Sequence, residues 1–275
     1  MQVTQTIEPE VFLPFYYASI SSFWIYFAID IKTLKPYLKD TGLKPVDFDG
    51  KGLVNLNFQN YTAHNGNSLA QTNELEFNIV AYPEVRADEV PRFAADCFLK
   101  GEDQTKIMGH YRVHVPCDNK FAVAAGKALY GENKFFAAFD YEVPSPNLPT
   151  VKYWKYTIGE PNGPEIISLG KVDFHHLHPE MANPAAIINY SMLNSRLVGS
   201  RRNLWATVQN YFPLPAKDAR NFKISIGKSK LANMTKDLEG ILGKNKNGYV
   251  KALPIAVQVI QTPPVIAESR PYYAS

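Results

Sequence analysis

Short segments rich in aromatic and β-branched residues recur along this chain, and they constrain its fold more than any other feature. They are bounded by Gly, Asn, Asp or Pro, and several alternate apolar and polar residues with a period of two. The predicted strands are Phe23–Ile29, Leu53–Phe58, Phe77–Tyr82, Tyr111–Val115, Phe135–Val143, Val151–Tyr156, Phe222–Ile226 and Ile255–Ile260. Because most intervening turns are short, neighbouring strands should pair antiparallel. We therefore predict a β-rich (α+β) fold with a large, mainly antiparallel sheet.

Helical patterns are few and short. The best is Ser229–Leu242, whose apolar residues form one stripe that Gly243 is placed to end. Two shorter helices are predicted, one capped by Asp30 and one at Val123–Tyr130. Residues 184–210 also carry a weaker helical spacing. The few helices should lie at the periphery of the sheet.

The chain contains no internal repeat, charge run or low-complexity linker that would divide its 275 residues. All-β units often reach this length, so we predict one domain over residues 1–275. A net charge of +3 is too balanced for a nucleic-acid-binding surface. The pair Arg201 and Arg202 with Trp205 is too small a basic patch to change that conclusion. A small-molecule partner is expected, and a nucleic acid is not.

Cysteine usage and the amino-terminal region indicate the compartment. Cys97 and Cys117 are too few for a disulfide framework and lie in no metal-ligand spacing. The first ten residues lack the basic start and apolar run of a secretory signal. The uncharged stretch Val11–Ile29 is interrupted by Pro14, serines and aromatic residues, so we interpret it as a buried strand and not a membrane span. We predict a cytoplasmic protein with no membrane segment.

One segment carries a specific signal. Residues 122–136 read AVAAGKALYGENKFF, an apolar stretch and a glycine that lead through a short helix into a turn ending at Lys134. This resembles the signature of the acetoacetate decarboxylase family, in which the turn ends in two adjacent lysines and Lys134 takes the first position. The strand beginning at Glu74 is similar to the family's strand with an active-site glutamate. Leu253–Val259 and the later Tyr272 and Tyr273 resemble its closing strand and tail.

The resemblance implies a barrel or cone of strands with peripheral helices, assembled into homo-oligomers. It also implies that Lys134 forms a Schiff base with a carbonyl substrate while Glu74 positions protons. An ammonium ion cannot attack a ketone, so burial should lower the pKa of Lys134 from about 10.4. The active-site lysine of the acetoacetate decarboxylase family is a known example of such an activated amine. Phe135, Phe136 and Phe139 are the expected apolar wall. Because the protonated imine is itself an electron sink, no cofactor is expected.

The chain departs from the family pattern at three places. Phe135 stands in place of the second lysine. Asn57 aligns with another active-site glutamate and is expected to be a polar substrate contact, together with Phe135 and Phe136. No arginine occupies the amino-terminal stretch Ala18–Ser22, where the family keeps one near the substrate carboxylate. The candidates to replace it from another strand are Arg86, Arg92 and Arg112.

Two residue pairs at spacing i, i+2 would each share a strand face. Glu74 and Glu76 point together either into a pocket or into water. His176 and His178 have a spacing compatible with two metal ligands, but a third ligand is not evident. We predict no metal site.

The sequence therefore predicts a carbon–carbon lyase that acts on a keto acid or other carbonyl compound through Lys134. Decarboxylase-like and aldolase- or dehydratase-like reactions both remain open, because the same imine serves each of them. The alternative is a non-catalytic carbonyl- or lipid-binding protein with the same fold.

Overall fold

The computed structural model describes residues 13–65, 68–143, 151, 153–183, 186–203, 206–213, 215–262, 265–266 and 271–274, and they are mostly β-strand. The strands are β1 Tyr16–Asp30, β2 Leu43–Pro45, β3 Lys51–Asn65, β4 Ser68–Pro83, β5 Gly109–Cys117, β6 Lys134–Phe136, β7 Ala138–Glu142, β8 Tyr153–Gly159, β9 Ile166–Asp173, β10 Pro179–Ala182, β11 Ile187–Leu193, β12 Arg196–Arg202, β13 Thr207–Tyr211, β14 Phe222–Ile226, β15 Pro254–Thr262, β16 Val265–Ile266 and β17 Tyr272–Tyr273.

The strands form two sheets. Within the described ranges, thirteen strands make the larger sheet in the order β10-β13-β15-β1-β3-β4-β5-β11-β12-β17, with β16, β2 and β6 attached to β1, β4 and β5. Its pairs are antiparallel except that β5 runs parallel to β11 and to β6. The smaller sheet has the order β14-β9-β8-β7. The predicted β-rich fold with a large sheet is confirmed. The sheet is mixed, and among the described residues its end strands β10 and β17 are not paired with each other. The barrel or cone therefore stays a prediction.

The helices are short. Their bounds are α1 Ile31–Leu34, α2 Ala95–Leu99, α3 Lys120–Ala125, α4 Pro215–Asp218 and α5 Met234–Leu242, with 3₁₀ turns at Lys35–Leu38, Glu84–Glu89, Ala219–Asn221 and Leu231–Asn233 and a π turn at Gly126–Tyr130. The predicted helix at Ser229–Leu242 begins only at Met234, because Ala232 and Asn233 have positive φ angles. Asp30 precedes α1 but does not cap it, since its carboxylate accepts a hydrogen bond from Lys51.

The weak helical interpretation of residues 184–210 is wrong. The described part of this stretch forms β11, β12 and most of β13. Asn194 and Ser195 both have positive φ, 51° and 60°, as the two central residues of a tight hairpin turn require. The pair Ile188 and Met192 misled because a spacing of i, i+4 places residues on one face of a strand as well as of a helix.

The main core lies between one face of the larger sheet and the smaller sheet with α5. Alternate residues of β1 and β3 supply Phe23, Ile25 and Phe58 to this core, and all three are fully buried. Phe58 stacks on Tyr156 of the smaller sheet, with ring centroids 5.6 Å apart. Each such side chain contributes about 1.5–3 kcal/mol by leaving water. This packing fixes the direction in which the other face of β3 and β4 points.

That other face carries a row of buried polar residues. The cross-strand pairs are Asn55 with Asn78, Asn57 with Glu76, and Gln59 with Glu74. We call these six residues the polar row. All of them are buried, so Glu74 and Glu76 point together into the protein and not into water. Buried polar groups need partners, and the row must be satisfied from neighbouring strands.

The uncharged amino-terminal stretch is a strand from Tyr16 onward, namely β1. No helix in the part of the chain that the structure describes is long and apolar enough to cross a membrane.

Acid should destabilise the fold through His110 of β5. Burial of the imidazole lowers the pKa of His110 to about 4, against the opposing pull of the Glu76 carboxylate. The unfolded chain has a pKa of about 6.5 at this position, so it binds the proton first as pH falls. Stability should therefore drop between about pH 6.5 and 4, by about 3 kcal/mol from this group alone.

Urea unfolding at a series of pH values measures the effect. The His110→Gln variant should show a flatter pH dependence over that range, whereas His178→Gln, at an exposed position, should follow the unmodified protein. Equal slopes for all three proteins would contradict the assignment.

Candidate active site

A cavity of about 260 Å³ opens at the end of the polar row where Gln59 pairs with Glu74. One wall is polar and is formed by Glu74, Arg112, Glu132, Lys134 and Arg202. The other is largely apolar and includes Phe15, Tyr17, Ala63, Phe121, Ala122 and Tyr130. Its volume is near the lower end of the range for small-molecule sites, about 300–1,000 Å³.

The segment before Lys134 fixes the direction of that side chain. Asn119 caps α3 by accepting hydrogen bonds from the backbone N–H groups of Phe121 and Ala122. Gly131 ends the following π turn at φ 67°, where a Cβ atom would collide with the backbone of Met192. The chain then enters β6, which pairs in parallel with β5. Lys134 is thereby carried into the protein and retains only 6% exposure.

The Lys134 ammonium group lies between two carboxylates. Its Nζ donates a short hydrogen bond to Oε2 of Glu74 and lies 3.3 Å from Oε2 of Glu132. Glu74 is held in turn by Gln59, which donates at 2.9 Å, and by the hydroxyl of Tyr61 at 3.3 Å. Burial, and next the Glu74 charge, raise the pKa of Tyr61 well above its usual value, so its hydroxyl stays a proton donor.

The expected lowering of the lysine pKa is wrong for this resting arrangement. Burial is the largest single effect and lowers the pKa of Lys134, but the charge of Glu74, its hydrogen bond and the nearby Cys117 together outweigh it, and the net pKa lies above its ordinary value. A missing neighbouring cation and apolar surroundings are all that the sequence shows around Lys134. The structure adds a carboxylate in direct contact with the amine, and this stabilises the charged form.

Behind this pair lies a wider set of buried charges. Arg112 contacts Glu132 and lies 2.9 Å from Oε1 of Glu76. Arg202 lies 3.2 Å from the same oxygen and donates to Oε1 of Gln59 at 2.9 Å. Burial raises the pKa of Glu76, but the charges of both arginines and the hydrogen bonds from two asparagines together outweigh it, and the net pKa is lowered. The set of three acids and three bases, which we call the charge cluster, is Glu74, Glu76, Arg112, Glu132, Lys134 and Arg202.

Three solved enzymes share this architecture. The enduracididine biosynthesis enzyme MppR, complexed with the condensation product of pyruvate and imidazole 4-carboxaldehyde, has a TM-score of 0.64 at 10% identity, covering 100% of this chain and 97% of that one. Acetoacetate decarboxylase has a TM-score of 0.61 at 13% identity, covering 94% and 88%. An acetoacetate decarboxylase-like enzyme from Sphingomonas wittichii RW1 has 0.58 at 14% identity, covering 98% of both chains. The chain has the acetoacetate decarboxylase-like fold.

The likeness confirms, at the level of the fold, the resemblance seen in the sequence. The sequence itself matches no protein-family model and no curated protein. At identities of this size the acetoacetate decarboxylase-like fold is established by structure alone, and the chemistry has to be argued from the site.

The structure brings Lys134 and Glu74 together at the cavity but places the other predicted site residues elsewhere. Asn57 lies outside the cavity lining, where it accepts a hydrogen bond from Ser22 and donates one to Glu76 at 3.0 Å. Phe135 belongs to the main core, and Phe136 packs near Lys120 at the edge of α3. The apolar wall is supplied by other aromatic residues, and Asn57 contacts the charged residues of the site only at Glu76 among the hydrogen bonds of the described residues.

Two lining residues were missed as site residues, and one candidate arginine reaches the cavity. Arg112 lines it, whereas Arg86 pairs with Glu89 at the surface and Arg92 is exposed. In the sequence Arg202 is only one member of a small basic patch with Arg201, yet on β12 it is buried while Arg201 faces out. Glu132 sits two residues before Lys134 in the turn. Strand alternation was the signal that distinguishes Arg202 from Arg201.

Among the described residues, no group of three or more His, Cys, Asp and Glu side chains is placed to hold a metal ion. His176 and His178 are exposed. The absence of a metal and of a cofactor remains a prediction.

Gly126 is expected to be needed for the position of Lys134. A Cβ atom there would lie 2.5 Å from Oε2 of Glu132 and 2.6 Å from Cδ of Lys134. Overpacking of this kind costs about 1–3 kcal/mol, against a gain of about 1 kcal/mol from replacing glycine in a helical turn. Gly126→Ala should therefore be less stable than its helix propensity implies.

A double-mutant cycle tests this contact. In a Lys134→Ala background the cost of Gly126→Ala should fall by about 1 kcal/mol, since the crowded methylene is gone. The exposed neighbour Lys127 is the matched control, and its Lys127→Ala background should leave the cost of Gly126→Ala within about 0.5 kcal/mol. An equal cost of Gly126→Ala in both backgrounds would show that the new methyl group does not collide with Lys134.

Proposed function

We propose that this chain is a Schiff-base-forming lyase that acts on a carbonyl compound through Lys134. The observation that carries the proposal is a buried amine at the wall of a cavity, in direct contact with a carboxylate that can take its proton. An amine has to lose its proton to attack a carbonyl, and a positioned base within hydrogen-bond distance is what general acid–base catalysis needs.

Imine formation begins with a proton transfer between the paired side chains. Glu74 takes a proton from the Lys134 ammonium, and the free amine adds to the carbonyl carbon. A proton moves from nitrogen to oxygen to give the carbinolamine. Protonated Glu74 then gives its proton to the carbinolamine hydroxyl, which leaves as water. The products are the protonated imine, one water molecule and the restored Glu74 carboxylate, so the charge of the site is unchanged.

The protonated imine then accepts the electrons of a breaking carbon–carbon bond. Carbon dioxide loss and aldol-type cleavage or condensation both fit this step, and the comparisons support both, since acetoacetate decarboxylase and MppR share the fold. For MppR the bound molecule is a condensation product of pyruvate with an aldehyde. In this proposal Asn57 has an indirect part, holding Glu76 and through it the arginines of the charge cluster.

A second candidate function is a non-catalytic carbonyl- or lipid-binding protein. The observation that favours it is the raised pKa of Lys134, which leaves the amine charged at rest. The two functions differ in whether the proton can pass to Glu74 when a carbonyl compound enters the cavity.

Trapping with borohydride tests the covalent step. The protein is incubated with a small ketone, borohydride is added, and the adduct is located by peptide mass. A single adduct on Lys134 is expected, lost in Lys134→Met and kept in Lys127→Met, because Lys127 is exposed on the preceding turn. Uniform labelling of many lysines, unchanged in Lys134→Met, would leave the binding protein as the better account.

Glu74→Gln should have two effects on imine formation: the rate should begin to rise at a lower pH, and the plateau rate should fall. The Glu74 charge raises the pKa of Lys134, so its removal lowers that pKa and shifts the alkaline rise of the rate to lower pH. The plateau rate should nevertheless fall about 100-fold, because the proton carrier is lost.

The matched control is Glu84→Gln, which removes a carboxylate that pairs with Lys44 at the surface, 2.7 Å away. It should alter neither quantity. A plateau unchanged in Glu74→Gln would mean that Glu74 does not carry the proton, and an unshifted pH profile would mean that it does not hold the amine charged.

A further inference from the structure

The apolar wall of the cavity is formed by aromatic rings that are packed in place. Tyr17 stacks on Tyr61 with ring centroids 4.6 Å apart, and Phe15 lies against Tyr130 at 6.3 Å. Phe121, from the first turn of α3, also lines this wall. Rings held by one another in this way form a surface suited to a flat or apolar group.

The charge cluster, which consists of the polar wall and Glu76 behind it, is balanced in charge among the described residues. Each cation of the charge cluster contacts at least one carboxylate: Lys134 contacts Glu74, Arg112 contacts Glu76 and Glu132, and Arg202 contacts Glu76. Counted over the residues that the structure describes, three buried cations contact three buried carboxylates. A substrate carboxylate would bring a fourth negative charge into a buried site, and that is strongly unfavourable.

We propose that the cavity takes an uncharged aldehyde or ketone with an aromatic or similarly apolar arm, in preference to a keto acid. The carbonyl carbon lies at Lys134 and the arm lies on the aromatic rings of the apolar wall. This inference rests on the proposed function and narrows it, because a substrate without a carboxylate has no carbon dioxide to lose.

The reaction class that remains is of the aldol type. In the cleavage direction the imine of a β-hydroxy ketone breaks its Cα–Cβ bond, and the bond electrons move through the α-carbon to the iminium nitrogen to give an enamine. The hydroxyl proton passes to the Glu74 carboxylate and an aldehyde leaves. Condensation is the reverse of these steps, so no oxidant, reductant or other co-reactant is needed.

Four carbonyl compounds separate the effect of a substrate carboxylate from the effect of an aromatic arm. 4-Phenylbutan-2-one and 2-oxo-4-phenylbutanoate carry the same arm on an uncharged and a charged carbonyl compound, and acetone and pyruvate are the same pair without the arm. The rate of borohydride-trapped adduct on Lys134 is measured for each and divided by its rate with free N-acetyl-lysine at the same pH. This division removes the greater intrinsic reactivity of the keto acids.

The uncharged arylalkyl ketone should exceed its keto acid partner at least tenfold after this correction, and it should exceed acetone by a similar factor. Glu132→Gln leaves three cations facing two anions, so it should raise the keto acid rates relative to the ketones by tenfold or more. Phe121→Ala should reduce the advantage of the arm and leave the preference for the uncharged carbonyl unchanged.

Three results would overturn the inference. One is a corrected preference for the keto acids in the unmodified protein. Another is a ketone preference that Glu132→Gln does not alter, since the charge balance would then not be its cause. The third is no Lys134 adduct with any probe in a folded protein, in which case the proposed Schiff base fails and the inference fails with it. The first two leave the Schiff base intact, so the two failures are distinguishable.

Discussion

The burial of six charged side chains beside one another is the constraint on which the rest of this structure depends. A single unpaired charge in a protein interior costs several kcal/mol, so each member of the charge cluster is tolerable only because the others are present. The members come from β4, β5, β6, β12 and the turn before β6, segments far apart in the sequence. The fold has to bring these elements together before the charges can be satisfied.

The packing of the larger sheet makes this convergence possible. One face of β3 and β4 buries aromatic and aliphatic residues against the smaller sheet, which forces the polar row onto the opposite face. A register shift between Phe77 and Asn78 in the pairing of β4 with β5 allows β5 to place side chains on both faces of the sheet. His114 stacks on Phe77 on the core side, while Arg112 reaches Glu76 on the polar side. The irregular pairing of β4 with β5 therefore contributes side chains to both the main core and the charge cluster.

The sequence was sufficient for the parts of the molecule that depend on local pattern. Strand alternation located β1, β3 and β14, and the lysine segment with the Glu74 strand led to the fold. Residues 184–210 were misread because i, i+4 spacing is shared by helix and strand. Strand alternation separates buried Arg202 from exposed Arg201, but the partners of Arg202, Gln59 and Glu76, lie more than a hundred positions away, and no local pattern encodes that meeting. The raised pKa of Lys134 was missed for a similar reason, since it depends on the side-chain distance to Glu74.

The internal pairing of the charge cluster also affects the electrostatic field at the opening of the cavity. Cations and anions that cancel within a few ångströms project little field into solvent, and buried pairs are screened by salt much less than exposed ones. A ligand approaching this opening is therefore not steered by long-range attraction. Its capture depends on diffusion and on the transfer of apolar surface from water to the rings, so the association rate should be nearly independent of ionic strength.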